Sequence, residues 1–144
     1  MKTEFSHDIS VDYPMSEAIQ FFTPKGEESW VPGWEPRYIH PTHGDTSEEM
    51  LFTTGHGGET TFWTCMKWEP EAGHARYLRL TPGSRAAFVS AQCRATGSGR
   101  TSVRVTYESH ALSDTGRAQM AEMTQEAFSE MIDEWAQLIR DMPK

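Results

Sequence analysis

The stretch VRVTYESHALSDTGRAQMAEMTQEAFSEMIDEWAQLIRDM, residues 103–142, changes its hydrophobic period partway along and thereby decides the fold class. At its start, Val103, Val105 and Tyr107 alternate with polar residues, which is the period of two that is typical of a half-buried strand. Ser113 or Asp114 then offers the N-cap of a helix. The chain therefore passes at this point from a sheet into a helix.

The rest of this stretch predicts one long amphipathic helix from about Asp114 to Met142. Apolar side chains recur there at intervals of three and four, while acidic side chains occupy the opposite side. The apolar series consists of Met120, Met123, Ala127, Phe128, Met131, Ile132, Trp135, Leu138, Ile139 and Met142. At 1.5 Å per residue such a helix spans roughly 40 Å, enough to cross a whole sheet.

The chain also begins with a strong strand pattern. In EFSHDISVDY, residues 4–13, the side chains of Phe5, His7 and Ile9 share one face, and polar side chains fill the other. Pro14 ends this strand, because proline has no N–H group to donate to a neighbouring strand.

Two short helices are predicted after this strand. MSEAIQFFTP, residues 15–24, has Ser16 as a helix N-cap and is stopped by Pro24. A second helical segment is expected around residues 27–31, where the Pro32-Gly33 pair breaks it.

Residues 50–112 predict a series of strands that are separated by turns. The connecting segments HGGE, PEAGH, PGS and GSG are short and rich in glycine and proline, which favours antiparallel hairpins. A further strand is expected near EPRYIHP, residues 35–41. Because sequential strands are usually neighbours, the sheet should be a meander. The sequence thus predicts one α+β domain over residues 1–144, with about six or seven strands curving around the long C-terminal helix.

This architecture predicts an internal cavity. A bent sheet and a straight helix fit closely at their ends and poorly in the middle, so a gap remains unless large side chains fill it. Cavities of this kind are mostly apolar, with a few polar groups that orient a ligand.

Composition excludes several classes of protein. The net charge of -8 argues against nucleic acid and against anionic membrane surfaces, both of which favour basic proteins. No apolar run is long enough to span a membrane, and MKTEFSHDIS at the start has no signal-peptide core, so a cytoplasmic location is expected. Cys65 and Cys93 are predicted to be free buried thiols.

Two motifs resemble a known group of proteins. FFTPKGEESWVPGWEP, residues 21–36, and VTYESHALSDTG, residues 105–116, are similar to segments of the START-like, Bet v 1-like (SRPBCC) superfamily, in its polyketide cyclase/dehydrase branch. The resemblance implies a helix-grip fold in which the two short helices form a V that closes one end of the barrel. Trp30 and Trp34 would then lie at that end, either as core residues or at the mouth of the cavity.

The resemblance and the helical pattern together give a set of candidate site residues. The predicted ligand-binding residues are Phe21, Trp30, Trp34, Tyr107, Met120, Met123, Phe128 and Met131. His7 and Tyr107 are candidate acid–base residues, because each shares an apolar strand face and carries a titratable group. For each of them a purely structural role in the core is the alternative.

Other polar residues are expected to have no role in a site. His40, His43 and Asp45 lie in a loop that contains Pro41 and Gly44, so no metal site is predicted.

GHGG, residues 55–58, lacks the spacing of a phosphate-binding loop, and no cofactor is predicted. Glu27 and Glu28 could supply a carboxylate near the mouth of the cavity, but solvated surface positions are favoured for them. Arg79 and Arg94 could pair with an acidic ligand group if they point inward, but positions on the convex, solvent-facing side of the sheet are favoured.

The leading functional hypothesis is a binding protein for a hydrophobic or amphipathic small molecule, lipid-like or polyketide-like, held between the sheet and the C-terminal helix. The first alternative is a cyclase or dehydratase that uses acid–base residues in the same cavity. The second is a protein-interaction module, similar to the activators of chaperone ATPases that share this fold. The sequence leaves a homodimer open.

Overall fold

One antiparallel sheet forms the body of the protein in a computed structural model that describes residues 1–143. The sheet has seven strands in the spatial order β1-β7-β6-β5-β4-β3-β2, so β2 to β7 form a meander and β1 pairs with the last strand. The strands are β1 (Lys2–Val11), β2 (Arg37–His40), β3 (Leu51–His56), β4 (Glu59–Glu69), β5 (His74–Thr81), β6 (Arg85–Gly97) and β7 (Arg100–Ala111). The predicted α+β class and meander are confirmed.

The helices lie before and after this meander. They are α1 (Met15–Ala18), which continues as a 3-10 turn over Ile19–Phe22, α2 (Pro24–Glu27), α3 (Asp114–Ala121) and α4 (Gln125–Arg140), and a further 3-10 turn covers Pro70–Ala72. No helix among residues 1–143 is long and apolar enough to cross a membrane.

The second short helix begins earlier than its sequence pattern suggested. Pro24 both ends the first helical segment and opens α2, because the first turn of a helix does not need the missing N–H group. The hydroxyl of Thr23 caps α2 by accepting a hydrogen bond from the amide of Gly26 at 2.9 Å. A side chain at Gly26 would meet the carbonyl oxygen of Gln20 at 1.8 Å, so glycine allows the two segments to pack closely.

The predicted alternation of the first strand is confirmed. β1 pairs with β7 so that Phe5 lies opposite Tyr107 and Ile9 lies opposite Val103. These side chains face the concave side of the sheet, whereas Lys2, Glu4, Ser6, Asp8 and Ser10 are exposed.

The prediction of one uninterrupted C-terminal helix is wrong. Ser113 caps α3, and the chain then leaves the helix and starts again at Thr124, whose hydroxyl accepts from the amide of Ala127 at 3.1 Å. Thr124 has an extended backbone, with φ −116° and ψ 166°. The apolar period persists through this break, which is why periodicity alone could not reveal it.

The core lies where α4 packs against β1. Phe128, Ile132 and Ile139 of α4 are almost completely buried, as is Val103 of β7. We call this region the packed half of the interior. Cys65 and Cys93 are buried and free, and β5 lies between their strands.

Candidate ligand-binding site

A cavity of about 290 Å³ occupies the other part of the interior. Its floor is the concave side of β3 to β7, its cover is α2 with the loop at residues 31–35, and Trp135 of α4 bounds it on one side. We call this region the hollow half. Its aromatic wall consists of Phe22, Trp34, Phe52, Trp63, Tyr77, Tyr107 and Trp135.

The turn between α2 and β2 aims Trp34 into this cavity. Gly33 has a φ of +73°, a left-handed conformation that favours glycine and turns the chain back over the sheet. The indole N–H of Trp34 donates to the carbonyl oxygen of Pro24 at 2.8 Å. Its ring stands edge-on to that of Trp63, with the centroids 5.7 Å apart. Trp34 is therefore held by its own motif while one side of its ring remains available to a ligand.

Trp30, from the same motif, has a different position. It is buried, donates its indole N–H to the carbonyl oxygen of Phe21 at 2.9 Å, and packs edge-on against Trp135. Trp30 does not line the cavity. The two tryptophans thus divide the two roles that the sequence left open: Trp30 is a core residue, and Trp34 lies at the cavity.

A stacked aromatic pair forms the part of the wall next to Trp34. The rings of Phe52 and Trp63, on neighbouring strands, lie 5.5 Å apart with an angle of 7° between their planes. The indole N–H of Trp63 donates to the hydroxyl of Thr54 at 3.0 Å, which fixes the orientation of its ring. Trp34 packs edge-on against both rings, so that the three side chains form one continuous aromatic cluster in the cavity wall.

Arg79 lies inside the cavity, contrary to the prediction that it faces solvent on the convex side. It shares a face of β5 with Ala75 and Tyr77, both of which are buried. Its guanidinium carbon lies 5.3 Å from the centre of the Trp63 ring. Its Nε is buried and has no hydrogen-bond partner among residues 1–143. The β5 sequence HARYLRLT carries apolar residues on both faces, so alternation could not tell inside from outside.

Glu27 also lines the cavity, although the sequence suggested a solvated carboxylate. Its side chain is partly buried at the end of α2, and burial raises the pKa of Glu27 to about 8. The carboxyl group is consequently mostly protonated at neutral pH and can donate a hydrogen bond.

Two tyrosines bring hydroxyl groups to the same space. Tyr77 donates its hydroxyl to the carbonyl oxygen of Phe22 at 3.0 Å, and burial raises the pKa of Tyr77 well above its usual value. For Tyr107, burial raises the pKa to about 12, while the nearby Arg79 guanidinium acts in the opposite direction. Both phenols are therefore neutral at pH 7. Tyr107, which the sequence analysis named as a candidate ligand-binding and acid–base residue, lines the cavity.

An ion pair lies towards the open side of the cavity. Arg85 Nη1 lies 3.8 Å from Glu59 Oε1, and the same guanidinium donates to Ser84 and Gln119 at 2.8 Å. This pair joins β4 to β6 and α3. Its charges compensate one another. Glu35, in the loop that covers the cavity, lines it as well, but no carboxylate lies within 4.0 Å of Arg79 among residues 1–143.

Most of the other predicted ligand-binding residues do not line the cavity. Phe21 packs edge-on against Tyr13 at 4.7 Å, beside a shallow surface groove. Phe128 lies behind the wall, 5.2 Å from the ring of Tyr107. Met120 is buried at α3, and Met123 and Met131 pack partly buried against the core. Trp34 and Tyr107 are the predicted residues that the fold brings together at the cavity.

His7 does not line the cavity either. Its Nε2 donates to the carboxylate of Asp133 on α4 at 2.7 Å, so its partner is supplied by the protein. His43 and Asp45 lie 3.4 Å apart in the loop between β2 and β3. Within residues 1–143 no three His, Cys, Asp or Glu side chains are grouped as a metal site.

Comparison with known proteins relates this geometry to a fold. No protein-family profile and no curated protein matches the chain by sequence. Norcoclaurine synthase from Thalictrum flavum, in complex with dopamine and hydroxybenzaldehyde, matches in structure with a TM-score of 0.69 at 12% identity, over 100% of this chain and 90% of that chain. Ara h 8.0201 matches with a TM-score of 0.65 at 11% identity, over 97% and 94%.

A hypothetical protein from Helicobacter pylori gives a TM-score of 0.73 at 9% identity, over 95% of this chain and 85% of that chain. At such low identity these likenesses show the fold alone. The chain has the Bet v 1-like, helix-grip fold that its motifs predicted. Its place in the polyketide cyclase branch stays a prediction.

Proposed function

We propose that this protein binds a small, flat, hydrophobic or amphipathic molecule in the cavity beneath Trp34. The observation that carries this proposal is the cavity of about 290 Å³ with its aromatic wall. Ligand pockets typically measure about 300–1,000 Å³ and are mostly apolar with a few orienting polar groups. The volume of about 290 Å³ is just below that range, so a compact ring system suits the space better than a long acyl chain.

The arrangement of rings supports a planar ligand. The stacked Phe52–Trp63 pair offers a flat surface, and Trp34 meets it edge-on, which are the two geometries that aromatic rings prefer. An additional aromatic ring could stack on one surface and contact the edge of the other. Burial of its apolar surface would drive binding, at about 25 cal/mol per Å² before the costs of association.

The comparisons are consistent with this proposal. The norcoclaurine synthase structure contains dopamine and hydroxybenzaldehyde, two small aromatic molecules. We extend small-molecule binding to this chain because its own cavity, described above, has the size and the aromatic lining to hold such molecules.

An acid–base enzyme is the second candidate, favoured by one observation. Glu27, whose pKa burial raises to about 8, lines the same cavity as the Tyr107 hydroxyl. A carboxylic acid with a pKa near the working pH is suited to general acid–base catalysis, as in a cyclisation or dehydration. Glu27 and Tyr107 would then be the acid–base pair, while His7 is held by Asp133. Loss of turnover in Glu27→Gln with unchanged binding would support this reading.

Replacement of Trp34 tests the binding function. We expect Trp34→Ala to weaken binding of naphthalene-sized probes, measured by isothermal titration calorimetry, by about tenfold or more, since a stacked aromatic contact and its buried area are lost. Trp68→Ala is the matched control, because Trp68 is a partly buried tryptophan of β4 that does not line the cavity.

Equal effects of the two substitutions on affinity would contradict the proposal. Native mass spectrometry of the purified protein adds an independent measurement, in which a co-purified small molecule should be released when Trp34 is replaced.

A further inference from the structure

We propose that the cavity selects a planar aromatic monocarboxylate, whose carboxylate pairs with the guanidinium of Arg79 while its ring contacts the aromatic wall. This inference rests on the proposed function and names the class of ligand. It starts from a buried guanidinium Nε without an acceptor in a pocket with an aromatic wall, on a residue for which the sequence favoured a solvent-facing position.

The register of the sheet holds Arg79 in a defined position. It lies opposite Trp63 on β4 and opposite Ala87 on β6. The indole on one side provides a surface 5.3 Å from the guanidinium carbon, while the small alanine on the other side leaves the guanidinium uncrowded. A guanidinium packed against an aromatic ring keeps its donors in the plane and directs them away from that ring.

Arg79 differs from the other arginines that the sheet partly buries. Arg76 has Glu108 at 3.7 Å, and Arg85 has Glu59 at 3.8 Å. For Arg79 no carboxylate lies within 4.0 Å among residues 1–143, and its Nε has no acceptor there. A buried donor without an acceptor is costly, and more so when it carries charge. A ligand that supplies the acceptor would remove that cost.

The carboxyl group of Glu27 does not act as the missing counter-ion. Burial is the cause that raises the pKa of Glu27 to about 8, and no nearby arginine lowers it. A carboxyl group that paired with Arg79 would have its pKa pulled down instead. At neutral pH Glu27 therefore offers a hydrogen-bond donor, and the positive charge of Arg79 persists in the cavity.

These features favour one carboxylate over other anions. The planar fork of a guanidinium matches a carboxylate through two parallel hydrogen bonds. One guanidinium can balance one negative charge, and the net charge of -8 on the chain repels ligands that carry several. The aromatic wall selects the rest of the molecule.

The test compares two probes of the same shape, 2-naphthoate and 2-naphthamide, by isothermal titration calorimetry at pH 7. The wild-type protein should bind the naphthoate about ten- to a hundredfold more tightly, the effect expected of a charge-assisted hydrogen-bonded pair. Arg79→Met should remove this preference while leaving the affinity for the amide nearly unchanged.

Arg76→Met provides the matched control, because Arg76 lies on the same strand but packs over Phe88 on the other face of the sheet. It should keep the preference for the acid. Arg79→Lys keeps the positive charge but loses the planar pair of guanidinium donors, so it should keep only part of the preference for the acid. This variant replaces Arg79→Met in the test if Arg79→Met fails to fold.

The outcomes distinguish a failure of this inference from a failure of the proposed binding function. Equal binding of both probes to the wild type would overturn the role of Arg79 and leave small-molecule binding intact. Binding of neither probe would overturn both. A preference for the acid that survives Arg79→Met would also overturn the inference, since another group would then recognise the carboxylate.

Discussion

The packed half and the hollow half of the interior share one sheet but are covered differently. In the packed half, α4 places Phe128, Ile132 and Ile139 against β1 and β7, and all are almost completely buried. In the hollow half, the cover is the short α2 and the turn that carries Trp34, and a cavity of about 290 Å³ remains.

This difference corrects the expected position of the cavity. The sequence suggested a gap beneath the middle of the C-terminal helix, lined by Met120, Met123 and Met131. α4 instead has 16 residues, about 24 Å in length, and packs closely at the β1 edge. The cavity lies beside α4, and Trp135 is the residue that α4 contributes to the cavity wall.

The largest expected effect belongs to the packed half. Ile132→Ala should reduce the free energy of unfolding by about 2–5 kcal/mol, measured with urea, because the surrounding atoms cannot fully close the new space. Affinity for naphthalene-sized probes should change little. Val89→Ala, on the cavity wall, is the comparison and should cost only about 1 kcal/mol, since its side chain already faces empty space on one side. Equal losses at both positions would show that the two halves are packed alike.

The second prediction concerns pH and the hollow half. Burial raises the folded-state pKa of Glu27 to about 8, from an ordinary value of 4.5, so the folded protein holds a proton that the unfolded chain releases between these values. The free energy of unfolding of the wild-type protein therefore falls as pH rises from about 4.5 to 8, because the unfolded chain releases the proton of Glu27 more readily than the folded protein does. Glu27→Gln should gain stability relative to the wild type over that range, by about 1–3 kcal/mol at pH 8, because partial exposure reduces the full shift.

Unfolding curves at several pH values check this prediction. Glu17→Gln, at an exposed position of α1, is the matched control. A stability difference between Glu27→Gln and the wild type that stays constant from pH 5 to 8 would contradict the burial of Glu27 in the cavity wall.

The smallest expected effect tests the helix break that separates α3 from α4. Thr124→Ala removes the side-chain acceptor for the amide of Ala127 and should lower the free energy of unfolding by about 1 kcal/mol. In an uninterrupted helix the same change would be stabilising, because alanine is the better helix former. The sign of the change, read from thermal or urea unfolding, therefore decides between a broken and a continuous C-terminal helix.

Local patterns predicted most of the elements but little of the site. β1, the meander and the amphipathic α4 follow from period and from turn residues, which depend on near neighbours. Trp34 and Tyr107 were found through a motif and a strand face. For Arg79 and Glu27 the sequence favoured solvent-exposed positions over a place in the site, because their positions depend on which face of β5 is covered and on where α2 packs.

The sequence by itself determined the order of the elements and the antiparallel meander, because these depend on periodicity and turn chemistry within a few residues, and its resemblance to a known superfamily added the helix-grip arrangement. Only the tertiary structure decided which half of the interior is filled and which groups face the empty half. Those outcomes depend on contacts between residues far apart in the chain, where α4 covers β1 and the tryptophan turn covers β3 to β5. These distant neighbours, and not the sequence of β5, decide that the side chain of Arg79 faces the cavity and not the solvent.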